Sequence, residues 1–407
     1  MSPKPLPLIG LRILSVEQYG AGPFASMYLA DLGAEVIKIE QPKTGDVARG
    51  TGPFFLGPED NPTADSQFFQ TFNLNKKSLS LDLKKPGGRA VFEKLVLSSD
   101  AVMNNLRGDQ PAKLKIDYAN LGKIKASIVC AHLSAYGRGG ERESWPGYDY
   151  LMQAEAGFMS LTGEADAPPA RFGLSMVDYM TGMTTAFGLL AAVIGARSTS
   201  EGRDVDVALF DVALHQLSYP ATWYLNSGHV TTRLPRSAHP ATVPCQICKT
   251  ADGWVFVMAM LDKFWQSLCK GLQREHWISD ARFIGFAERR AHRDVLTVLL
   301  DDAFSAHQSS HWMSVFAGEI PIAPVFDIQQ ALDNPYVAQI AMLQSLPHGA
   351  AALAGGQLRV LSNPICLDGE RVSGKVCPSL GADSDAILQA LGYSEIEILQ
   401  LRAEAAI

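Results

Sequence analysis

Apolar residues run almost unbroken through Leu11-Arg-Ile-Leu-Ser-Val16, the pattern of a strand buried on both faces. Gly22-Pro23 then opens a helical stretch from Phe24 to Leu32, with Gly33 placed to end it. Proline suits the first helical turn, and glycine suits the left-handed position just past the last one. A second apolar run, Ala34-Glu-Val-Ile-Lys-Ile-Glu40, comes at once. Strand, helix and strand in so short a span make a βαβ unit, with parallel strands and a right-handed crossover.

The alternation continues. Pro86 to Leu97 reads as helix, Asp100 to Asn105 and Ser127 to Ser134 as strands, and Asp204 to Leu209 as a strand before a helix beginning near Phe210. This pattern predicts an α/β fold whose parallel sheet is covered on both faces. Turn-forming residues gather over 225–245, at Asn226-Ser-Gly228, Pro235, His239-Pro240 and Pro244, and read as a linker into a smaller unit. Residues 243–332 mix strand (Trp254 to Met260) with helix (Asp262 to Leu272, Arg289 to Phe304). A looser stretch beyond Pro335 finishes in an amphipathic helix from Ser394 to Glu404. The expected division is 1–224 for a large domain, 225–335 for the linker and small α/β domain, and 336–407 for a return to the large domain.

With 407 residues and 47% of them hydrophobic, the chain can bury two or three cores. Its net charge of −7 offers no basic field for nucleic acid or an anionic membrane. No purely apolar run reaches eighteen residues, about the least a membrane span needs. The start, Met1-Ser-Pro-Lys-Pro-Leu-Pro7, lacks the apolar core of a signal peptide. A cytoplasmic location is therefore expected. Six scattered cysteines form no disulfide framework, and the close pair Cys245-Gln-Ile-Cys248 lacks the further ligands of a zinc site. No metal is expected.

The first strand–helix turn, Gln18-Tyr-Gly-Ala-Gly-Pro23, falls short of a dinucleotide fingerprint because Ala25 stands where the third glycine belongs. Neither a P-loop nor the Gly-x-Ser-x-Gly elbow of α/β-hydrolases occurs. Asp178, in Gly173-Leu-Ser-Met-Val-Asp-Tyr-Met-Thr-Gly182, stands at the start of a helix-like run to Ala196. Such an aspartate can serve simply as an N-cap. The same place keeps a carboxylate ionised, and an ionised carboxylate can attack an activated acyl group. The lysines of Asn75-Lys-Lys-Ser78, Lys84-Lys85 and Lys113-Leu-Lys115 fit either phosphate contacts or a solvated surface.

In order and spacing, these segments resemble the class III CoA-transferases, the CaiB/BaiF family, nearly end to end. The resemblance rests on Gly10-Leu-Arg-Ile-Leu14, Ala21-Gly-Pro23, Leu29 to Glu40, Gly45-Asp46, Asn75 to Lys84 and Pro146-Gly-Tyr-Asp149. It continues in Gln153-Ala154, Gly157, Ile320 to Val325, Asn334-Pro335, Pro378 to Gly381 and Leu391 to Ser394. It implies a Rossmann-like large domain formed by both chain ends, a smaller α/β domain between them, and an interlocked homodimer. A heteromer with a related subunit stays open. The family's catalytic aspartate falls on Asp178. CoA would lie against Gly20 and Ala21, the segment Leu81, Asp82, Leu83 and Lys84, then Asn105, Leu106 and Lys113, and the loop Ala135, Tyr136, Gly137 and Arg138. Gln41 and Arg107 depart from the family's usual residues at their positions.

The implied reaction moves CoA from an acyl-CoA to a small carboxylic acid through an aspartyl anhydride and an aspartyl-CoA thioester. CoA thioesters are then substrates, and no tightly bound cofactor is expected. The succinyl-CoA-dependent branch fits best, with malate, citramalate, itaconate, mesaconate and benzylsuccinate as candidate acceptors, since Ser237 to Pro244 has nothing like the glycine-rich loop of formyl-CoA enzymes. Two alternatives remain. One is an α-methylacyl-CoA racemase, against which Tyr148 stands where racemases carry histidine. The other is a non-catalytic subunit of a heteromeric transferase.

Overall fold

The computed structural model describes residues 4–407 and forms two compact units. The larger takes in the chain up to Met152, then Leu174–Gln216 and Pro335–Ile407. Its elements are β1 (Arg12–Val16), α1 (Ala21–Asp31), β2 (Glu35–Glu40), α2 (Gln67–Asn73), β3 (Lys77–Ser80), α3 (Pro86–Leu97), β4 (Ala101–Asn104), β5 (Val129–Ser134), α4 (Met176–Thr199) and β6 (Arg203–Ala208). Near the chain's end come α5 (Ser384–Ala390) and α6 (Glu395–Ala403).

Six parallel strands build the sheet in the order β3-β2-β1-β4-β5-β6. Successive side chains of a strand point to opposite faces, and here both faces are apolar. Leu14, Ile37, Val102 and Cys130 meet α3, α5 and α6 through Phe92, Leu95, Leu388 and Leu401. Their neighbours Ile13, Val36, Met103 and Ala131 meet α1 and α4 through Ala25, Leu29, Leu189 and Val193. The unbroken apolar runs of the sequence reflect this double coverage. Among the described residues α4 is the one helix long and apolar enough to span a membrane; Leu189 and Val193 bury one side of it in the core, while Phe187 and Ile194 are exposed.

The helix expected from Phe24 begins three residues earlier, at Ala21, because Gly20 provides its N-cap. The basic cluster at 75–78 divides between interior and surface, with Lys76 buried and Lys77 half-exposed. Lys76 is buried, with its Nζ 2.9 Å from Glu17 Oε1, and Lys77 pairs with Glu35 at 2.6 Å. Lys76 leads into β3 and Lys77 is its first residue, so charges at its start hid the strand.

Lys76 is part of a buried ionic network under the C-terminal ends of β1 and β2. Lys38 Nζ lies 2.8 Å from Asp46 Oδ2 and donates to the Glu17 carbonyl at 3.0 Å. Arg49 forks onto Glu40 with two 2.8 Å bonds and stacks its guanidinium 3.9 Å from the Phe69 ring centroid. Glu17, Glu40 and Asp46 balance Lys38, Arg49 and Lys76, so the buried set carries no net charge. Burial works against ionised Glu40, yet the Arg49 bonds win and hold its carboxyl at about 2. Burial pulls Lys76 down to about 8, with Glu17 opposing that fall.

The second unit comprises Gln153–Gly173 and Leu217–Asn334. Its antiparallel sheet pairs β7 (Cys245–Lys249) with β8 (Trp254–Met258), and β8 with β9 (Ile322–Pro324). Cys248, Trp265, Leu268, Leu300, Phe304 and Trp312 fill its own core. The helix expected over Arg289 to Phe304 is two helices, Phe286–Ala291 and Arg293–Ser305, broken at His292.

Candidate active site

The strand order reverses between β1 and β4, both of which leave the sheet on the same side. In doubly wound sheets the crevice at that reversal, beyond the C-terminal strand ends, is where ligands bind. A cavity of about 640 Å³ occupies it. Gln18 to Ala21 line it after β1, Asn105 to Arg107 after β4, and Ser134 and Ala135 at the end of β5. Trp145 to Tyr148, Leu209, Val47 and Asp178 complete the wall.

Two hydrogen bonds fasten the first two loops together. The Gln18 N–H donates to Asn105 Oδ1 at 2.9 Å, and Asn105 Nδ2 donates to the Gln18 carbonyl at 2.7 Å. Tyr19 then adopts φ of +71°, a left-handed conformation uncommon outside glycine. Its N–H is held by Asp46 Oδ1 at 3.0 Å, and Asp46 is anchored in turn by Lys38. The buried network therefore fixes the turn that ends at Gly20. Just beyond, Ala21 and Gly22 begin α1, and their N–H groups have no intrahelical acceptor.

Asp178 is the third residue of α4, after the N-cap residue Ser175. It is not the N-cap that its sequence position allows. The open helix end is satisfied by Asp149, whose Oδ2 accepts from the N–H groups of Val177 at 2.6 Å and Asp178 at 3.1 Å. The Asp178 carboxylate is left to face the cavity, and among the described residues nothing donates a hydrogen bond to it. Burial, with the Asp149 charge beside it, pushes its carboxyl up to about 7. Its Oδ2 lies so close to Gly20 that a Cβ at that residue would stand 2.9 Å away.

Gly20→Ala tests that contact cleanly. The one atom that a methyl at Gly20 would crowd is the end of the Asp178 side chain, so the added group acts by displacing the carboxylate. Relieving that contact moves the carboxylate by about half an ångström, which is expected to slow reaction at Asp178 by about 10-fold in the folded variant. Rates of covalent labelling at Asp178, followed by mass spectrometry, measure it.

The sequence profile of CoA-transferase family III matches residues 8–384. The chain belongs to CoA-transferase family III. The transferase is 30% identical over 95% of its length to the succinate–glutarate CoA-transferase of Agrobacterium fabrum, covering 96% of that protein. It is 32% identical to the succinyl-CoA:mesaconate CoA-transferase of Haloarcula hispanica, over 87% of this chain and 88% of the other. The crystal structure of a CAIB/BAIF family protein from Brucella suis superposes with a TM-score of 0.82 at 28% identity, covering 95% of the transferase and all of that chain.

Of the residues that the resemblance marks for CoA, Gly20, Ala21, Asn105, Leu106 and Ala135 line the large cavity with Asp178. Leu81, Asp82, Leu83 and Lys84 line a second cavity of about 180 Å³ beyond the ends of β1, β2 and β3. Gln18 and Leu106 border both cavities, so the two are neighbours along one edge of the sheet. Four residues lie outside these walls. Lys113 is tied to Asp109 at 2.5 Å, and Arg138 is clamped by Asp204 at 3.0 Å and Asp206 at 2.9 Å. Tyr136 packs between Trp145 and Phe210, and the Gly137 N–H donates to Ser134 Oγ at 3.0 Å.

Sequence reasoning passed over Arg107, Asp149 and Asp46 as site residues. Arg107 is the one cation among the described residues lining the large cavity. Asp149 comes after Pro146-Gly147 at the first turn of the helix Asp149–Glu155, which makes it look like a local helix-start acid. Nothing local reveals that it serves a helix start 27 residues later in the chain.

Proposed function

We propose that the transferase moves CoA from succinyl-CoA to a second dicarboxylate, with Asp178 as the nucleophile. The observation that carries this is the Asp178 carboxylate itself: it faces the switch-point cavity without a donor of its own, beside the open end of α1. One Asp178 oxygen attacks the thioester carbonyl, the C–S bond breaks, and CoA leaves as thiolate. The thiolate attacks the aspartyl carbonyl of the resulting anhydride, expelling succinate and leaving an aspartyl-CoA thioester. The acceptor carboxylate repeats the first attack on that thioester, and the released thiolate takes the new acyl group while Asp178 returns to carboxylate. Each step exchanges one acyl bond for another, so no redox change arises.

The unbonded N–H groups of Ala21 and Gly22 are suited to bind an oxyanion at the attacked carbonyl. The small cavity at Leu81 to Lys84 suits the nucleotide end of CoA, with Gln18 and Leu106 bordering both cavities. A dicarboxylate acceptor is supported by the relatives' substrates and by Arg107, whose guanidinium matches a carboxylate. An interlocked homodimer in the cytoplasm belongs to the same proposal. Its support is the stripe Met183, Phe187 and Ile194 along α4, which are 54%, 75% and 70% exposed in the single chain.

Intact mass after mixing with succinyl-CoA, acetyl-CoA and butyryl-CoA tests the proposal. A CoA-sized or acyl-sized addition, removed by hydroxylamine and mapped to Asp178 by digestion, is expected with succinyl-CoA foremost. Exchange of an α-proton with solvent deuterium, in the absence of any adduct, would sink it.

A further inference from the structure

We propose that Asp149 is a positioning residue for Asp178, acting in two separable ways: its carboxylate caps the helix that carries Asp178, and its charge destabilises the ionised nucleophile relative to the acylated one. This inference rests on Asp178 being the nucleophile. The cap is direct, since one buried oxygen, Asp149 Oδ2, receives both the Val177 and the Asp178 N–H. That pair of bonds fixes the first turn of α4, and with it the direction in which the Asp178 side chain leaves the helix.

The charge effect arises from the same contact. Two carboxylates on adjoining helix starts repel while both are ionised. When Asp178 becomes an anhydride or a thioester it is neutral, and the repulsion disappears. Asp149 thus raises the energy of the free carboxylate and leaves the covalent intermediate untouched, which favours acylation. The other groups around Asp178 supply no second acid. Tyr179 comes next on α4, Gly20 faces it from the β1–α1 turn, Tyr19 lines the same cavity, and Tyr150 sits next to Asp149 on the neighbouring helix. Arg107 shares the cavity wall from the β4 loop, with its guanidinium turned to Asp109 at 3.7 Å and the Ser144 carbonyl at 3.2 Å. Burial and Asp149 are the causes of the raised Asp178 carboxyl.

Asparagine separates the two roles, because its Oδ1 still accepts from both N–H groups while the charge is gone. Asp178 protonation is read without turnover by labelling with a water-soluble carbodiimide, which takes up the carboxyl proton and is then attacked by the carboxylate oxygen, across pH 5 to 9, followed by digestion and mass spectrometry of the folded fraction. The labelling midpoint in Asp149→Asn is expected to fall by about one pH unit, with about a tenfold lower equilibrium share of covalent adduct under succinyl-CoA. Asp149→Glu, which keeps the charge, is expected to hold the wild-type midpoint. A midpoint unmoved in Asp149→Asn, with adduct still forming on Asp178, would overturn the role of Asp149 alone. A shifted midpoint in an enzyme that forms no adduct with any donor would instead remove the nucleophile, and this role with it.

Discussion

Asp178→Asn is expected to lower CoA transfer by at least about 1,000-fold, and to remove every hydroxylamine-sensitive adduct from the intact mass. Asparagine fills the same volume and leaves the backbone N–H bond to Asp149 in place, so the loss reports chemistry rather than folding. The pH profile sharpens the test. Only ionised Asp178 attacks, so adduct formation in the wild-type enzyme should rise with pH around a midpoint near 7. Stability runs the opposite way. Between an ordinary aspartate pKa of about 4 and 7 the unfolded chain has lost this proton while the folded one keeps it, so stability falls as pH rises across that window. Asparagine cannot titrate. The variant should therefore be more stable than wild type by about 2–4 kcal/mol at pH 8, and by little at pH 4. Urea unfolding at both pH values measures the difference.

Lys38→Met is the second large effect, and it falls on stability. Lys38 is fully buried, and its Nζ meets Asp46 Oδ2 at 2.8 Å and the Glu17 carbonyl at 3.0 Å. Methionine is one atom shorter, fills most of the same space and suits a strand packed on both faces, so no large void opens. The damage is electrostatic: the Asp46 carboxylate is left uncompensated in a closed interior. Removing one partner of a buried pair typically costs about 3–5 kcal/mol, and a loss in that range is expected from urea denaturation followed by far-UV circular dichroism. Lys38→Met with Asp46→Asn should recover part of it, because the orphaned charge is gone. Neither variant should react at the wild-type rate, since Asp46 holds Tyr19 in its left-handed conformation one residue before Gly20.

The sheet was largely legible because its strands are short apolar runs separated by well-marked helices. Pro86 to Leu97 is helical over its whole expected span, set by a proline in the first turn and a serine just past the last. β3 escaped notice because only four residues pair there and two lysines precede its apolar part. The break at His292 divides an apolar periodicity that continues across it, so spacing alone joins the two helices. Gln153–Gly173 joins the second unit without any shift of composition at its ends, and its membership is written only in long-range contacts. At the site, the Gly20 turn and Asp178 could be singled out from local pattern. Asp149 and the Lys38–Asp46 pair could not, because each acts on a partner that only folding brings near. Lys38 alone left a trace: a lysine amid Val36, Ile37 and Ile39 is a charge in a strand with no wet face.

The edge of the sheet is closed by residues that come more than 300 positions later. Ser78 N–H donates to Asp383 Oδ2 at 2.8 Å, Ser80 N–H to Ser384 Oγ at 3.1 Å, and Asp82 N–H to the Ala406 carbonyl at 2.8 Å. During synthesis β3 therefore waits, with its outer hydrogen-bonding edge bare, until almost the whole chain has left the ribosome. At about 5–20 residues per second that interval lasts some tens of seconds. A nascent chain with an unpaired strand edge is a target for pairing with its neighbours on the same message. Stop codons that remove α5 and α6 should thus yield aggregated protein rather than a shorter soluble enzyme.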